Sequence, residues 1–388
     1  MRRPFGIHIG AAFVVGVLLS AAAWLSLHQA GAGTSIGEDS LNYVSITQSE
    51  TRAEGELDGR QSVEADKSNV HSGERESSAI GNRSTGKSET NGERYKQPMI
   101  KVFLTKSNTV ESVPLEAYVK GVIAAEMPLD FETEAMEAQA LAARTYIVRR
   151  LWLNDHSGMT VTNADVTDTQ EHQVYRSIAD MQKLRLEDES GWKKIESAVN
   201  GTVGEIIVYG GEPIEALFFS TSNGYTENSE NVFPAKVPYL RSVPSPWDKE
   251  YSPRAKETIE MSLTDFYDKL GVEFRTIGKT LTPNKQLRVI EWTDGHRVER
   301  MIAGGKTFTG EQVRDKLGLR SASFDWKISG DKIKLVTYGS GHGVGMSQWG
   351  AEGMAKAGKT ASQIVAYYYS GTRIEEVSKL ADRSENRL

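Results

Sequence analysis

Cysteine is absent from all 388 residues. That excludes a cysteine nucleophile, a thiolate metal site, an iron–sulfur cluster, any disulfide and a lipid anchor on sulfur. Basic charge is also in short supply: 46 Lys and Arg stand against 52 Asp and Glu, a net charge of -6. No general basic surface for nucleic acid follows from such a balance. Proline is sparse at 11, and aromatic residues make up 8%. What remains, 38% hydrophobic and 25% charged, is the average of a soluble globular protein, but the chain is a sum of dissimilar pieces.

The first piece, residues 1–32, opens with Arg2 and Arg3 and then lacks Lys, Arg, Asp and Glu from Pro4 to Gly37. Its apolar run from Ile7 to Leu27 reaches the roughly 20 residues that span a bilayer as a helix. The positive flank predicts a cytoplasmic N-terminus and an external remainder. A cleaved signal peptide ending at Ala30-Gly31-Ala32 is the alternative, but the apolar run is long for one. Residues 33–97 contain neither Trp nor Phe, and acidic residues outnumber basic ones 12 to 8. Too little apolar surface is present to offset the entropy of ordering, which predicts a disordered tether outside the membrane.

The body, residues 98–376, holds six of the seven tryptophans. Strand-like runs (Ile100–Leu104, Glu205–Tyr209, Glu215–Ser220, Gln286–Trp292 and Lys332–Thr337) alternate with helical ones, so the predicted class is a single α+β body. Gly210-Gly211 predicts a tight hairpin between two of the strands. The stretch from Tyr251 to Lys327 is a candidate inserted subdomain, and residues 377–388 read as a polar tail.

The most informative pattern lies in Pro114–Glu126. Pro114 suits a helix start and Pro128 a stop. Leu115, Val119, Val122 and Glu126 share one face, so a carboxylate ends an apolar stripe. Desolvation and the negative helix end both raise its pKa, as a general acid requires. Solvent fraying at the helix end is the competing expectation. The following helix, Thr133–Trp152, is rich in alanine and carries Gln139 and Arg144 as its notable polar residues. Arg144 could position a sugar or carboxylate, or form an ion pair. Gly339–Gly350 fits neither a phosphate-binding loop nor a nucleophile elbow. Its glycines predict either a structural turn or a backbone that approaches a ligand closely, with His342, Gln348 and Trp349 projecting. Phe218–Asn228 places hydroxyls and amides after an apolar strand, as carbohydrate binding would use. A Ser220–His342–Asp168 triad can be drawn, but no local signature supports it.

These segments carry a resemblance. Val113-Pro114-Leu115-Glu116-Ala117-Tyr118-Val119, Ala125-Glu126-Met127-Pro128 and Glu137–Tyr146 resemble the stage II sporulation protein D family. So do Ser220-Thr221-Ser222-Asn223-Gly224, Thr226–Glu230 and Gly341–Ala351, in consistent order over Met99 to Ile374. The resemblance implies a lytic transglycosylase that cuts peptidoglycan glycan strands during forespore engulfment, with Glu126 catalytic. It also implies an external location on the mother-cell engulfing membrane and two partners, stage II sporulation proteins M (a scaffold) and P (an amidase). The preferred strands would be those whose stem peptides have been removed. Arg144, Tyr175, Ser220, Ser222, His342 and Gln348 are the expected substrate-positioning residues. Some relatives bind zinc through cysteines and a histidine in the segment matching Asp165–Tyr175. Here only His172, Asp168 and Glu171 stand there, a poor zinc set, so neither a metal nor any cofactor is expected. Two rival classes remain open: a non-catalytic, amidase-enhancer-like wall-binding protein and a muramidase-type hydrolase.

Overall fold

A computed structural model describes residues 97–272 and 287–380. The expected anchor and nearly all of the tether, residues 1–96, lie outside the described residues. Among the described residues, no helix is long and apolar enough to cross a membrane.

The chain enters through a hairpin of β1 (Met99–Leu104) and β2 (Thr109–Pro114), paired from Met99–Pro114 to Leu104–Thr109. Helix α1 (Leu115–Glu126) follows without a loop. Pro114 takes the N-cap place at φ -58°, where its missing N–H costs nothing. Leu115, Val119 and Val122 are fully buried, as the stripe predicts. Helix α2 (Thr133–Leu153) is the central post of the body, touching α1 on one side and later elements on others. Ala135, Ala138, Ala140, Ala142 and Ala143 are all buried, since only small side chains let neighbours approach one helix from several directions. It ends at Asn154 in the left-handed region, φ 50°.

Next come β3 (Val166–Thr167), parallel to β1, and the helices α3 (Ile178–Glu187) and α4 (Glu189–Gly201). A hairpin follows, β4 (Glu205–Tyr209) with β5 (Glu212–Pro213), turning through Gly210 and Gly211 at φ 60° and 88°. Positive φ at both positions is what such a turn requires. The expected strand Glu215–Ser220 is not its partner. Leu217 N–H bonds back to Glu215 O, a three-residue turn that takes the chain off the sheet. Only β6 (Phe218–Phe219) remains extended. Much later it pairs in parallel with residues Met346 and Ser347.

After the short helix α5 (Asp248–Tyr251) the chain builds a second core. Its elements are β7 (Lys256–Ser262), α6 (Leu263–Leu270), β8 (Leu287–Trp292), β9 (Val298–Ala303), β10 (Lys306–Thr309), α7 (Gly310–Leu317), β11 (Phe324–Ser329) and β12 (Lys332–Tyr338). The sheets β10-β9-β8 and β11-β12-β7 enclose Phe266, Tyr267, Met301, Phe324 and Leu335. Because β12 pairs with both β11 and β7, this unit runs from Lys256 to Tyr338 and takes in the strand Lys332–Thr337. The chain then returns to the first core through β13 (Met346–Ser347), α8 (Gln348–Lys356), α9 (Ala361–Tyr368) and β14 (Arg373–Glu376), the last joining the edge of β4. The presumed polar tail begins inside the body: Val377 N–H bonds Gly204 O, and Leu380 is 6% exposed within the core, because both side chains are apolar.

Candidate active site

Glu126 closes α1. Pro128 cannot continue the helix, and Met127 turns extended at φ -114° while its N–H still reaches Ile123 O. The carboxyl is half-buried at the end of the apolar stripe. Val174 N–H donates to Glu126 Oε1 at 3.1 Å, and the Gln348 side-chain amide donates to the Glu126 backbone carbonyl at 3.3 Å. Burial raises the Glu126 pKa above the usual carboxylate range, and the Val174 and Gln348 amides only partly oppose it. No neighbouring acid is among these influences. The expected fraying into solvent does not occur.

Gln348 is the first residue of α8. Ser347 caps that helix, accepting from Gly350 N–H at 3.3 Å, and its hydroxyl also bonds Asp248. Asp248 is fully buried and further accepts from Ser222 N–H (2.7 Å) and the Ser245 hydroxyl (2.6 Å). Its pKa is raised by burial, against which these donors act. Ser220 lies beside the same helix start: its carbonyl accepts from Trp349 N–H at 3.1 Å. Glu126 and Ser220 thus flank the first turn of α8, and Trp349 meets Phe131 edge-on at 4.7 Å.

The remaining expected positioning residues are built into the fold. Arg144 is fully buried and contacts no solvent. It grips Glu116 with Nε (3.0 and 3.1 Å to Oε1 and Oε2) and Nη2 (2.7 Å to Oε2), while Nη1 bonds Thr202 Oγ1 and Glu205 O. Tyr175 is 7% exposed and stacks on Tyr118. Ser222 is fully buried, its hydroxyl bonding Ser245 O. Each is corrected from substrate contact to support, because a buried group whose bonds are spent on the protein cannot meet a sugar.

The glycine-rich loop takes the structural alternative. Its glycines approach the protein's own backbone and side chains rather than an open face. At Gly345, φ 82°, a Cβ would lie 2.0 Å from Leu217 O, which is pinned by Met346 N–H and the Tyr369 hydroxyl. We therefore expect Gly345→Ala to cost at least about 2 kcal/mol in chemical denaturation, where a ligand-approach role would leave stability unchanged. His342 donates from Nε2 to Phe218 O (3.1 Å) and accepts at Nδ1 from Val344 N–H (3.1 Å). Burial, reinforced by Arg297 and Arg314, lowers its pKa to about 4, so it is a neutral strut between backbone segments. Asp168 accepts from Thr105, so the Ser220–His342–Asp168 combination does not assemble. His172 bonds Thr167 through Nδ1 and Ser157 O through Nε2, and among the described residues no cluster of three acidic or histidine side chains is placed to hold a metal.

Residues outside the expected set complete the site. Val174 contributes only its backbone N–H, for which no residue type is diagnostic. Glu116 stands in a quoted motif but its partner is 28 positions away. Asp248 and the buried Glu227–Arg297 pair, 3.5 Å apart, were signalled by nothing periodic. Arg297 donates to Gly341 O at 3.1 Å and so ties the second core to the glycine-rich loop.

The family model for SpoIID, stage II sporulation protein, matches residues 104–209, the span that holds α1, α2 and Val174. Stage II sporulation protein D of Bacillus subtilis (strain 168) is 47% identical over 288 residues, covering 73% of this chain and 81% of the relative. The protein of the same name from Bacillus amyloliquefaciens is 46% identical over 288 residues, with 73% and 80% covered. A more distant relative, the amidase enhancer of Bacillus subtilis (strain 168), is 28% identical over 304 residues, or 66% of this chain and 40% of that protein. By these matches the chain belongs to the stage II sporulation protein D family.

Proposed function

We propose that this protein is a lytic transglycosylase that cuts peptidoglycan glycan strands between N-acetylmuramic acid and N-acetylglucosamine during forespore engulfment. The observation that carries the reading is the setting of Glu126: a carboxyl whose pKa burial raises, next to the Val174 and Gln348 amides that oppose that rise and favour its ionised form. Protonated Glu126 donates to the glycosidic oxygen, and the bond to the muramyl carbon breaks through an oxocarbenium-like transition state. The resulting carboxylate faces the developing positive charge and takes the proton of the muramyl 6-hydroxyl. Attack of that oxygen on the same carbon closes a 1,6-anhydro ring, and Glu126 regains its proton. Water is not consumed, so a second carboxylate to activate it is not required. Ser220, half-buried beside the start of α8, is the candidate to meet the sugars, while Gln348, buried and donating to the Glu126 carbonyl, supports the acid from behind.

Residues 1–32 serve as a retained anchor and 33–97 as the tether that carries the body to the wall outside the cytoplasm. The apolar run Ile7–Leu27 supports the first role and the acidic, polar composition the second. By the family resemblance the protein works beside an amidase and a membrane scaffold, stage II sporulation proteins P and M. Amidase treatment would then expose its preferred substrate. Purified sacculi with and without stem peptides test this: soluble glycan should be released faster from the denuded sacculi. Release from neither would favour a wall-binding amidase enhancer instead.

A further inference from the structure

The segment Gln173–Arg176 is fixed to α1 at every residue. Gln173, 2% exposed, accepts at Oε1 from the buried Tyr118 hydroxyl at 3.0 Å. Val174 N–H donates to Glu126 Oε1. The Tyr175 ring stacks on Tyr118 with centroids 5.4 Å apart and planes 18° from parallel. It occupies space left by Gly121, where a Cβ would lie 2.2 Å from the ring. Arg176 N–H donates to Gly121 O at 3.1 Å. Tyr118, Gly121 and Glu126 all belong to α1, so one helix holds both the acid and the fixtures of the segment that donates to it.

Gln173 breaks a local rule. Its Nε2 is buried with no hydrogen-bond partner, a cost that an apolar side chain of similar volume would avoid. Polar groups that violate packing rules in this way concentrate where function sets geometry. The single bond the side chain makes is to Tyr118, and its own backbone leads directly into the Val174 N–H.

We propose that Tyr118 and Gln173 are positioning residues, whose buried hydrogen bond holds the Val174 N–H against Glu126 Oε1. The inference rests on the reading of Glu126 as the acid and extends it to how that acid is tuned. A buried carboxylate that loses a donor ionises less readily, so the pair limits how far burial raises the Glu126 pKa. The groups that face Glu126 are few. Tyr118 lies on its own helix, the Val174 N–H comes from the facing segment, and the Gln348 amide comes from α8. Among the described residues no cation and no second acid acts on it.

Two substitutions test the pair. Tyr118→Phe deletes one hydroxyl, and Gln173→Met removes the amide at similar volume. In each, the Glu126 carboxyl is titrated directly by carbon NMR of labelled glutamate, assigned by difference from Glu126→Gln. The midpoint is expected to move upward by about one pH unit, the worth of one hydrogen bond to a charged group. The double variant should move no further than either single, since the two act as a unit. The alkaline limb of kcat/KM for glycan cleavage should move upward in step. Tyr118→Phe alone suffices if the Gln173 variant does not fold. A folded Tyr118→Phe protein with a wild-type midpoint overturns the proposal, as do additive shifts in the double variant. The titration needs no turnover, so absence of cleavage by the wild-type protein would sink the reading of Glu126 as the acid while the positioning role is still judged on its own result.

Discussion

Glu126→Gln is expected to lower glycan cleavage by at least about 10² to 10⁴-fold, the usual worth of a positioned proton donor. The substitution is nearly isosteric. The side-chain oxygen of glutamine still accepts from Val174 N–H, and the backbone carbonyl still accepts from Gln348. Only the transferable proton is lost, so KM should change little while kcat collapses. The same variant carries a second, opposite signature. The folded-state pKa of Glu126 is raised by burial, so the wild-type carboxyl favours the folded state below the ordinary carboxyl pKa. That contribution is lost as pH rises through the raised folded value. Glu126→Gln removes the cost of holding a buried carboxylate, and its melting temperature should exceed that of the wild type at neutral pH. The difference should vanish below the ordinary carboxyl pKa. Thermal unfolding at the two pH values checks this, and a variant less stable than wild type at neutral pH would contradict it.

Arg144→Met is expected to cost about 3–5 kcal/mol of stability, the usual consequence of leaving one partner of a buried ion pair alone. Glu116 is 7% exposed and receives three of the guanidinium contacts together with Gly204 N–H. Without Arg144 its charge stays in the core with one backbone donor. The double variant Arg144→Met/Glu116→Leu should recover much of the loss, because the uncompensated charge goes as well. Denaturant unfolding of the two single variants and the double variant measures the coupling. A substrate-contact role predicts the reverse pattern: a stable Arg144→Met protein with a raised KM. Activity per folded molecule should instead remain close to wild type, since Arg144 reaches no substrate.

Several parts of this arrangement were legible from local pattern. Helix α1 and the burial of its stripe follow from the spacing of Leu115, Val119, Val122 and Glu126, and the β4–β5 turn follows from Gly210-Gly211. The position of Glu126, an acid at the end of an apolar face, is likewise a one-helix property. Arg144, Tyr175 and Ser222 were misread because a polar side chain in a motif looks the same whether it faces a ligand or a distant residue. Their partners lie 28, 57 and 23 positions away, at Glu116, Tyr118 and Ser245. The glycine-rich loop stays open between turn and ligand site in the sequence for a related reason: glycine marks close approach without saying what approaches. Here it is Leu217 O and the guanidinium of Arg297. Val174 could not have been found at all, since its contribution is a main-chain N–H placed by contacts that neighbouring residues make.

In the proposed reaction Glu126 acts alone, first as acid and then as base, with the muramyl 6-hydroxyl as the nucleophile. Mass spectrometry of the chain ends released from purified glycan strands in ¹⁸O-labelled water tests it most directly. The expected products are 1,6-anhydromuramyl ends, lighter than a reducing end by one water and free of ¹⁸O. Reducing muramyl ends carrying ¹⁸O would contradict it, because they require an activated water and make the enzyme a hydrolase.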